Sequence, residues 1–471
     1  MQSVMGYLST TMREHEIDTL RSFCLQLRSS GVTAGMVNDF SVGFRIPQIS
    51  KEFDLLRICD DTVINIELKS KYSDKALGQL KKNNYYLKVL GKEVLCFTYC
   101  QDLNTLYKLN SKSDLEEATM SELRLALAKQ RQIFRKDLSE LFDPIVYLVS
   151  PFNTTDKFLN GEYFLTSHQE KIAGEVVTVC DKGTSSIASI RGTAGTGKSL
   201  LVYHIAKELM QAAQSVAIIH VGQLNSGHHT LLQHKWNIFP IKDLQWGLEI
   251  SQNIRTLLVD EAQRLDKRQL ASIIDFGKSS TTNIVFGHDR IQTLCKREEE
   301  DGISDQIDSI SGYKYTLTDK IRTNKEISDF LRIITGEKKA AIKKTYNTSI
   351  VCFGDINDAK EYIYSRNAEG WTYISHTPSQ YNPNKWDKLL DIGERGTAHE
   401  VIGQEFDKVI AVIDDTFFYD EAGVLGSTNL SGNPYLRGKM FLQAVTRTRK
   451  QLELVIVGNP IVYQRMLSFF E

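Results

Sequence analysis

Residues 186–210 read SIASIRGTAGTGKSLLVYHIAKELM, and their order decides the architecture of most of the chain. The apolar run Ile187 to Ile190 opens the stretch, and an apolar run with helical spacing from Leu200 closes it. Between them, Gly192-Thr193-Ala194-Gly195-Thr196-Gly197-Lys198-Ser199 fits G-x-x-x-x-G-K-[ST]. Strand, glycine loop and helix form the setting that a phosphate-cradling loop requires. The glycines let backbone N–H groups curl around phosphates, Lys198 neutralises the β and γ oxygens, and the Ser199 hydroxyl can ligate Mg²⁺. ATP and Mg²⁺ are the expected cofactors.

Outward from this stretch, apolar runs alternate with helical patterns: SIASIRG, SVAIIHVG, RTLLVDEA, TNIVFGH, SIVCFGD, WTYISHT, DKVIAVID and LELVIVGN. Eight such runs imply parallel sheets covered on both faces, an α/β architecture. RTLLVDEAQRL ends on Asp260 and Glu261. The first is expected to hold Mg²⁺ through water and the second to polarise the attacking water.

Toward the N-terminus a helical stripe within residues 1–30 (Leu20, Phe23, Cys24, Leu27) precedes two β-rich runs, EFDLLRIC and TVINIELK, which turn at Asp60 and Asp61. A helix, KALGQLKKNNYYLKVL, and a strand, EVLCFTYC, follow; residues 113–142 read as one charged helix, and PIVYLVS as a last apolar run. The polar, turn-forming PFNTTDKFLNG, residues 151–161, is the linker candidate.

In the N-terminal hairpin, Asp54 is followed by Glu67-Leu68-Lys69. Residues two apart on a strand share a face, so Glu67 and Lys69 point together. Asp54 on the paired strand can complete a cation site with Glu67, leaving Lys69 to position water beside a phosphate. The next helix presents Gln79, Asn83 and Tyr86 on one face.

Composition sets limits. At 471 residues and 41% apolar content the chain holds several cores. Its 57 basic and 58 acidic residues give a net charge of −1, so a nucleic-acid surface has to be confined to a channel. Seven scattered cysteines fit reduced thiols in a cytoplasm, and Cys96 and Cys100 have no second Cys/His pair at zinc spacing. The start lacks a signal-peptide pattern and no run reaches membrane-spanning length, so a cytoplasmic protein without membrane contact is expected.

The motifs together resemble superfamily 1 helicases. DEAQR followed by FGHDRIQTL is similar to motifs II and III, which implies that Gln292 senses the γ-phosphate; His288 interrupts the usual glycine-aspartate pair before Asp289. FLTSHQ resembles the Q motif, which implies that Gln169 reads adenine. LTDKIRTNKEISDFL resembles motif IV and gives Arg322 as a γ-phosphate contact. GTAHEVIGQEF resembles motif V, with Thr397 and His399 on the nucleic-acid backbone and Glu405 on the ribose. LQAVTRTRK resembles motif VI, with Arg447 as the arginine finger.

The resemblance lies nearest to compact bacterial proteins related to the helicase part of Schlafen proteins. The Asp54, Glu67 and Lys69 pattern resembles restriction-endonuclease-like (PD-(D/E)xK) nucleases. In their RecB-like branch a Gln and a Tyr, here Gln79 and Tyr86 or Tyr85, brace the lysine or the DNA, and Glu14 or Glu16 could add an acid.

The expected organisation is a nuclease-like domain over 1–150 and RecA-like motor domains over 161–310 and 311–471. The expected function is an ATP-dependent nuclease and translocase on nucleic acid, DNA ahead of RNA, in defence against foreign nucleic acid. It could act as a homo-oligomer or with a partner subunit. The alternatives are an ATP-gated RNA-binding switch with an inactive nuclease scaffold, and a DNA-repair subunit.

Overall fold

The computed structural model describes residues 14–46, 52–73, 75–130, 138–142, 149–182, 185–244, 253–318, 325–336, 347–378, 395–429 and 434–469. The chain divides into two compact units: residues 1–147 with 162–167, and residues 148–161 with 168–471.

The first unit is built on a six-stranded sheet in sequence order, β1 (Ser41–Arg45), β2 (Glu52–Ile58), β3 (Thr62–Lys69), β4 (Glu93–Cys100), β5 (Thr105–Leu109) and β6 (Leu115–Ala118). Only β3 and β4 run parallel, joined by helix α2 (Lys75–Lys88). The β2–β3 hairpin turns at Asp60 and Asp61 as its sequence implies, with Leu55 opposite Ile66, which sets Asp54 opposite Glu67. Helices α1 (Glu14–Ser29) and α3 (Met120–Lys129) bring Phe23, Leu27, Leu123 and Leu127 onto Ile64, Ile66 and Phe97. Leu80 and Leu87 of α2 pack with Val63 on the opposite face. Cys24, placed on the buried stripe by its spacing, is exposed.

The single helix expected over 113–142 is not formed. Its first residues pair as β6 against β5, and α3 begins at Met120 because Thr119 and Glu122 make a reciprocal capping box. Most of PIVYLVS, residues 144–150, lies outside the described residues.

The second unit holds two parallel sheets. The first, in the order β12-β7-β11-β10-β8-β9, comprises β7 (Ile187–Gly192), β8 (Val216–His220), β9 (Ile238–Pro240), β10 (Thr256–Asp260), β11 (Asn283–His288) and β12 (Tyr313–Leu317). The second, in the order β13-β19-β16-β14-β15, comprises β13 (Thr348–Phe353), β14 (Thr372–Ser375), β15 (Arg395–Thr397), β16 (Phe406–Ile413) and β19 (Thr448–Val457); β17 (Phe417–Tyr419) and β18 (Leu425–Ser427) form a small hairpin beside it.

All eight expected apolar runs are strands, and every pair within the two large sheets is parallel. The expected boundary after residue 310 cuts the first sheet short, since Tyr313 pairs with Ala188 and the sheet runs on to Leu317. Among the described residues no helix is long and apolar enough to cross a membrane.

Candidate functional site

The phosphate-type loop joins β7 to helix Lys198–Gln211. Gly195 and Gly197 have φ of 81° and 78°, left-handed values that a side chain resists, so these glycines carry the turn. Thr196 Oγ1 donates to the Thr193 carbonyl at 2.8 Å and closes the loop. A Cβ at Gly192 would collide with that same hydroxyl. Gln169, expected to read adenine, is 2% exposed and donates from Nε2 to the Thr196 carbonyl at 2.9 Å. One hydrogen of its amide nitrogen is therefore engaged by the loop itself.

Asp260 ends β10 fully buried, with Oδ2 3.7 Å from Nδ1 of His220 on the adjacent strand β8. Neither carboxylate oxygen has a hydrogen-bond partner among the described residues. A bare buried carboxylate is costly, and a hydrated Mg²⁺ shared with the buried Ser199 would satisfy it, so these donors fit the ion.

Glu261 is held at a left-handed φ of 59°, a strained value for a non-glycine residue. Its Oε1 lies 3.8 Å from Lys198 Nζ, and Oε2 accepts from Gln263 Nε2 at 2.7 Å and Arg264 Nε at 3.4 Å. Burial alone would raise the Glu261 carboxyl. The charges of Lys198, Arg264, Arg447 and His220 outweigh burial and pull it down to about 2. The result is an ionised base in a dry site.

Gln263, which the sequence reading did not single out, links the two neighbouring motifs. It donates to Glu261 and to the Gln292 carbonyl (3.4 Å), and accepts at Oε1 from the Asp289 N–H (3.0 Å). Asp289 is buried and caps the Ile291 N–H at 2.8 Å, a turn-forming role. The inserted His288 is buried against Asp308, 3.3 Å away, and burial is the main cause that brings its pKa down to about 4.

A cleft runs between the two parallel sheets of this unit. Thr193, Ala194 and Gln292 line it from the first, and Arg332, Gln443 and Thr446 from the second. Arg447, one residue beyond Thr446, is 5% exposed, donates to the Gln404 carbonyl at 3.4 Å and is close enough to contribute to Glu261 ionisation. Glu405 is buried, with its N–H bonded to Asn153 Oδ1 at 3.0 Å. Thr397 accepts from the Glu400 N–H at 3.3 Å, and His399 Nδ1 lies 2.6 Å from Thr377 Oγ1. Arg322 lies outside the described residues.

In the first unit, Asp54 Oδ2 accepts from the Leu68 N–H at 2.8 Å and Lys69 Nζ lies 3.8 Å from Glu67. Glu67 is 1% exposed and held by amides: Asn83 at 2.8 Å, Asn65 at 3.4 Å, and Gln79. Gln79 therefore clamps the acid and not Lys69. Tyr86 is buried in the core between Phe53 and Phe164, while Tyr85 donates to the Glu162 carbonyl. Glu16 is exposed on α1, and Glu14 sits in the same helix. A carboxylate offers about four lone-pair sites, and three amide donors face the two oxygens of Glu67. Among the described residues no group of three or more His, Cys, Asp or Glu could hold a metal.

Residues 185–389 match the family model of the Schlafen group 3 DNA/RNA helicase domain. That match supports a helicase-type motor domain over those residues. Two solved structures are similar at low level. A Pif1 helicase from Candida albicans shares 13% identity over 62% of this chain and 95% of its own, with a TM-score of 0.36. A structure of two coordinating Pif1 helicases at forked dsDNA shares 12% over 64% and 94%, with a TM-score of 0.33. At such scores neither likeness bears on the site. No curated protein is detectably similar to the chain.

Proposed function

We propose that the chain is an ATP-driven motor on nucleic acid, DNA ahead of RNA, whose first unit is a restriction-endonuclease-like nuclease domain. The bare buried Asp260 carboxylate beside the phosphate-type loop carries the motor reading. ATP would lay its phosphates against the N–H groups and Lys198 of residues 192–199, with Asp260 and Ser199 holding Mg²⁺. Ionised Glu261 polarises a water whose oxygen attacks the γ-phosphorus; the bond to the β–γ bridging oxygen breaks and ADP leaves. Arg447, from the second sheet, stabilises the charge that develops.

Support for the nuclease reading is the register that sets Asp54 opposite Glu67 beside Lys69. A second reading, a silent nuclease scaffold, is favoured by the amide clamp on both oxygens of Glu67. A role against foreign nucleic acid rests on the company that compact nuclease and motor fusions keep.

The test follows phosphate release and strand cleavage together on single-stranded, duplex and branched DNA and RNA, with Mg²⁺ and with or without ATP. Stimulated phosphate release with DNA cleavage supports the whole reading. Stimulated release without cleavage of any substrate selects the silent scaffold, and ATP turnover indifferent to nucleic acid removes the motor.

A further inference from the structure

Past Lys69 the chain leaves strand β3 and stays tied to the sheet. The N–H groups of Gln101 and Asp102 donate to the carbonyls of Lys69 at 2.8 Å and Ser70 at 3.1 Å. The Tyr72 N–H is shared by both oxygens of the Asp102 carboxylate, each 3.1 Å away, and one of them also accepts from the Leu103 N–H at 2.9 Å. The backbone that carries Tyr72 away from Lys69 is therefore pinned to the turn between β4 and β5.

A second tyrosine meets it there. Thr98 on β4 lies in register with Glu67 on one side and with Tyr107 of β5 on the other. Partners in register project from the same face, so Tyr107 stands on the Asp54 and Glu67 face, two strand spacings or about 10 Å from Glu67. The rings of Tyr72 and Tyr107 have centroids 5.5 Å apart and planes 48° from parallel. Rings so tilted meet near an edge and do not cover each other's faces. Tyr72 is 41% exposed, and Lys69 and Lys71, just before it in the chain, both reach solvent.

Open aromatic faces beside lysines that reach solvent suit an unpaired strand, whose bases stack on the rings while its phosphates pair with the cations. A base inside a duplex is covered by its neighbours and has to leave the stack before it can use such a surface. We propose that Tyr72 and Tyr107 form a stacking platform for an unpaired DNA base, beside the strand position whose phosphate faces Lys69. This rests on the reading of the first unit as nuclease-like. It makes the platform the element that selects single-stranded or frayed DNA for the row of Asp54, Glu67 and Lys69.

The experiment uses the full chain and an oligothymidylate carrying one 5-iodouracil, a base that couples to a stacked aromatic ring on illumination. Without Mg²⁺ or nucleotide, so that the strand stays intact, we expect mass spectrometry to place a crosslink on Tyr72 or Tyr107 and a complementary strand to suppress it. With Mg²⁺ and ATP, Tyr72→Ala should raise KM for cleavage of the single strand about tenfold, the cost of one lost base–aromatic stack, and leave kcat little changed. Tyr72→Phe keeps the ring and should keep the parental KM. ATP hydrolysis stimulated by DNA belongs to the unit that holds the phosphate-type loop and should stay parental in both variants, which reports that they are folded. Cleavage with crosslinks confined to other residues, or a parental KM in Tyr72→Ala, would overturn the platform and leave the nuclease reading standing. A crosslink on the pair in a chain that cleaves nothing would keep the platform and overturn the nuclease reading. Neither crosslink nor cleavage would overturn both.

Discussion

The rings of Tyr86 and Phe164 stack with centroids 3.5 Å apart and planes 17° from parallel. Tyr86 lies on α2, the helix whose Gln79 and Asn83 hold Glu67, and Phe164 lies five residues before Gln169, whose amide is bonded to the phosphate-type loop. Phe164→Ala should therefore have two effects. Lost stacking and burial should cost about 2 kcal/mol, read by denaturant unfolding. The slackened segment entering Gln169 should raise KM for ATP more than it lowers kcat. Parental KM together with lowered stability would limit Phe164 to packing.

Lys198→Ala should abolish ATP hydrolysis. Lys198 is 5% exposed and provides the loop's cation as well as one of the charges that keep Glu261 ionised. Arg447→Ala should bind ATP nearly normally and turn it over about a thousandfold more slowly, because a finger acts on transition-state charge. Single-turnover hydrolysis beside nucleotide affinity separates the roles; a collapse of affinity with normal turnover of bound ATP would assign Arg447 to ground-state binding.

Asp54→Ala and Lys69→Ala should remove cleavage while leaving the ATPase intact, since neither residue belongs to the unit that contains the phosphate-type loop. Gln79→Ala is more discriminating. If the amide clamp keeps a cation off Glu67, releasing one donor should raise cleavage in Mg²⁺ or lower the Mg²⁺ needed for it. If the clamp instead positions the acid, cleavage should fall.

Stability should decline as the solution is acidified below pH 6.5. Burial, with neighbouring cations, brings His228 down to about 2, His376 to about 3 and His399 to about 4. These groups stay neutral in the folded chain and gain protons in the unfolded one, so the unfolded state binds more protons and stability rises with pH across this window. Each withdraws up to about 1.4 kcal/mol per pH unit below 6.5. His228→Gln retains a side chain suited to the third position of a helix capping box and should flatten the dependence of Tm on pH. An unchanged slope would mean that His228 already titrates near its ordinary value.

Processive unwinding should be weak. Among the described residues, 323–396 hold only two helices and the strands β13 to β15, and between Ser199 and Asp260 only β8, β9, the helix Lys198–Gln211 and two shorter helices occur. Among the described residues neither stretch forms an arm that grips and splits a duplex. ATP is then expected mainly to gate nucleic-acid engagement through closure of the cleft. Strand displacement by Lys69→Ala, which cannot destroy its own substrate, measures this; efficient unwinding over hundreds of base pairs would refute it.

The sequence by itself determined the elements whose causes are local or whose burial is total. A strand covered on both faces is an unbroken apolar run, which made the inner strands legible; the edge strand β13 was legible from its own apolar run, as was the loop whose glycines, Lys198 and Ser199 are contiguous. The edge strands β9, β12 and β15 are only three to five residues long, too short to leave a comparable run, and the polar LEEA of β6 read as helix. Helical spacing correctly set Gln79, Asn83 and Tyr86 on one face of α2. Only the packed helix shows that the first two reach Glu67 and that Tyr86, a turn further on, enters the core. Tertiary structure likewise decided that His220 lies beside Asp260 and that Gln263 bridges Glu261 to Gln292. Spacing along a chain constrains neighbours within a turn or a strand; which strand lies beside which, and which buried polar atoms are left bare, follows only once distant segments have packed.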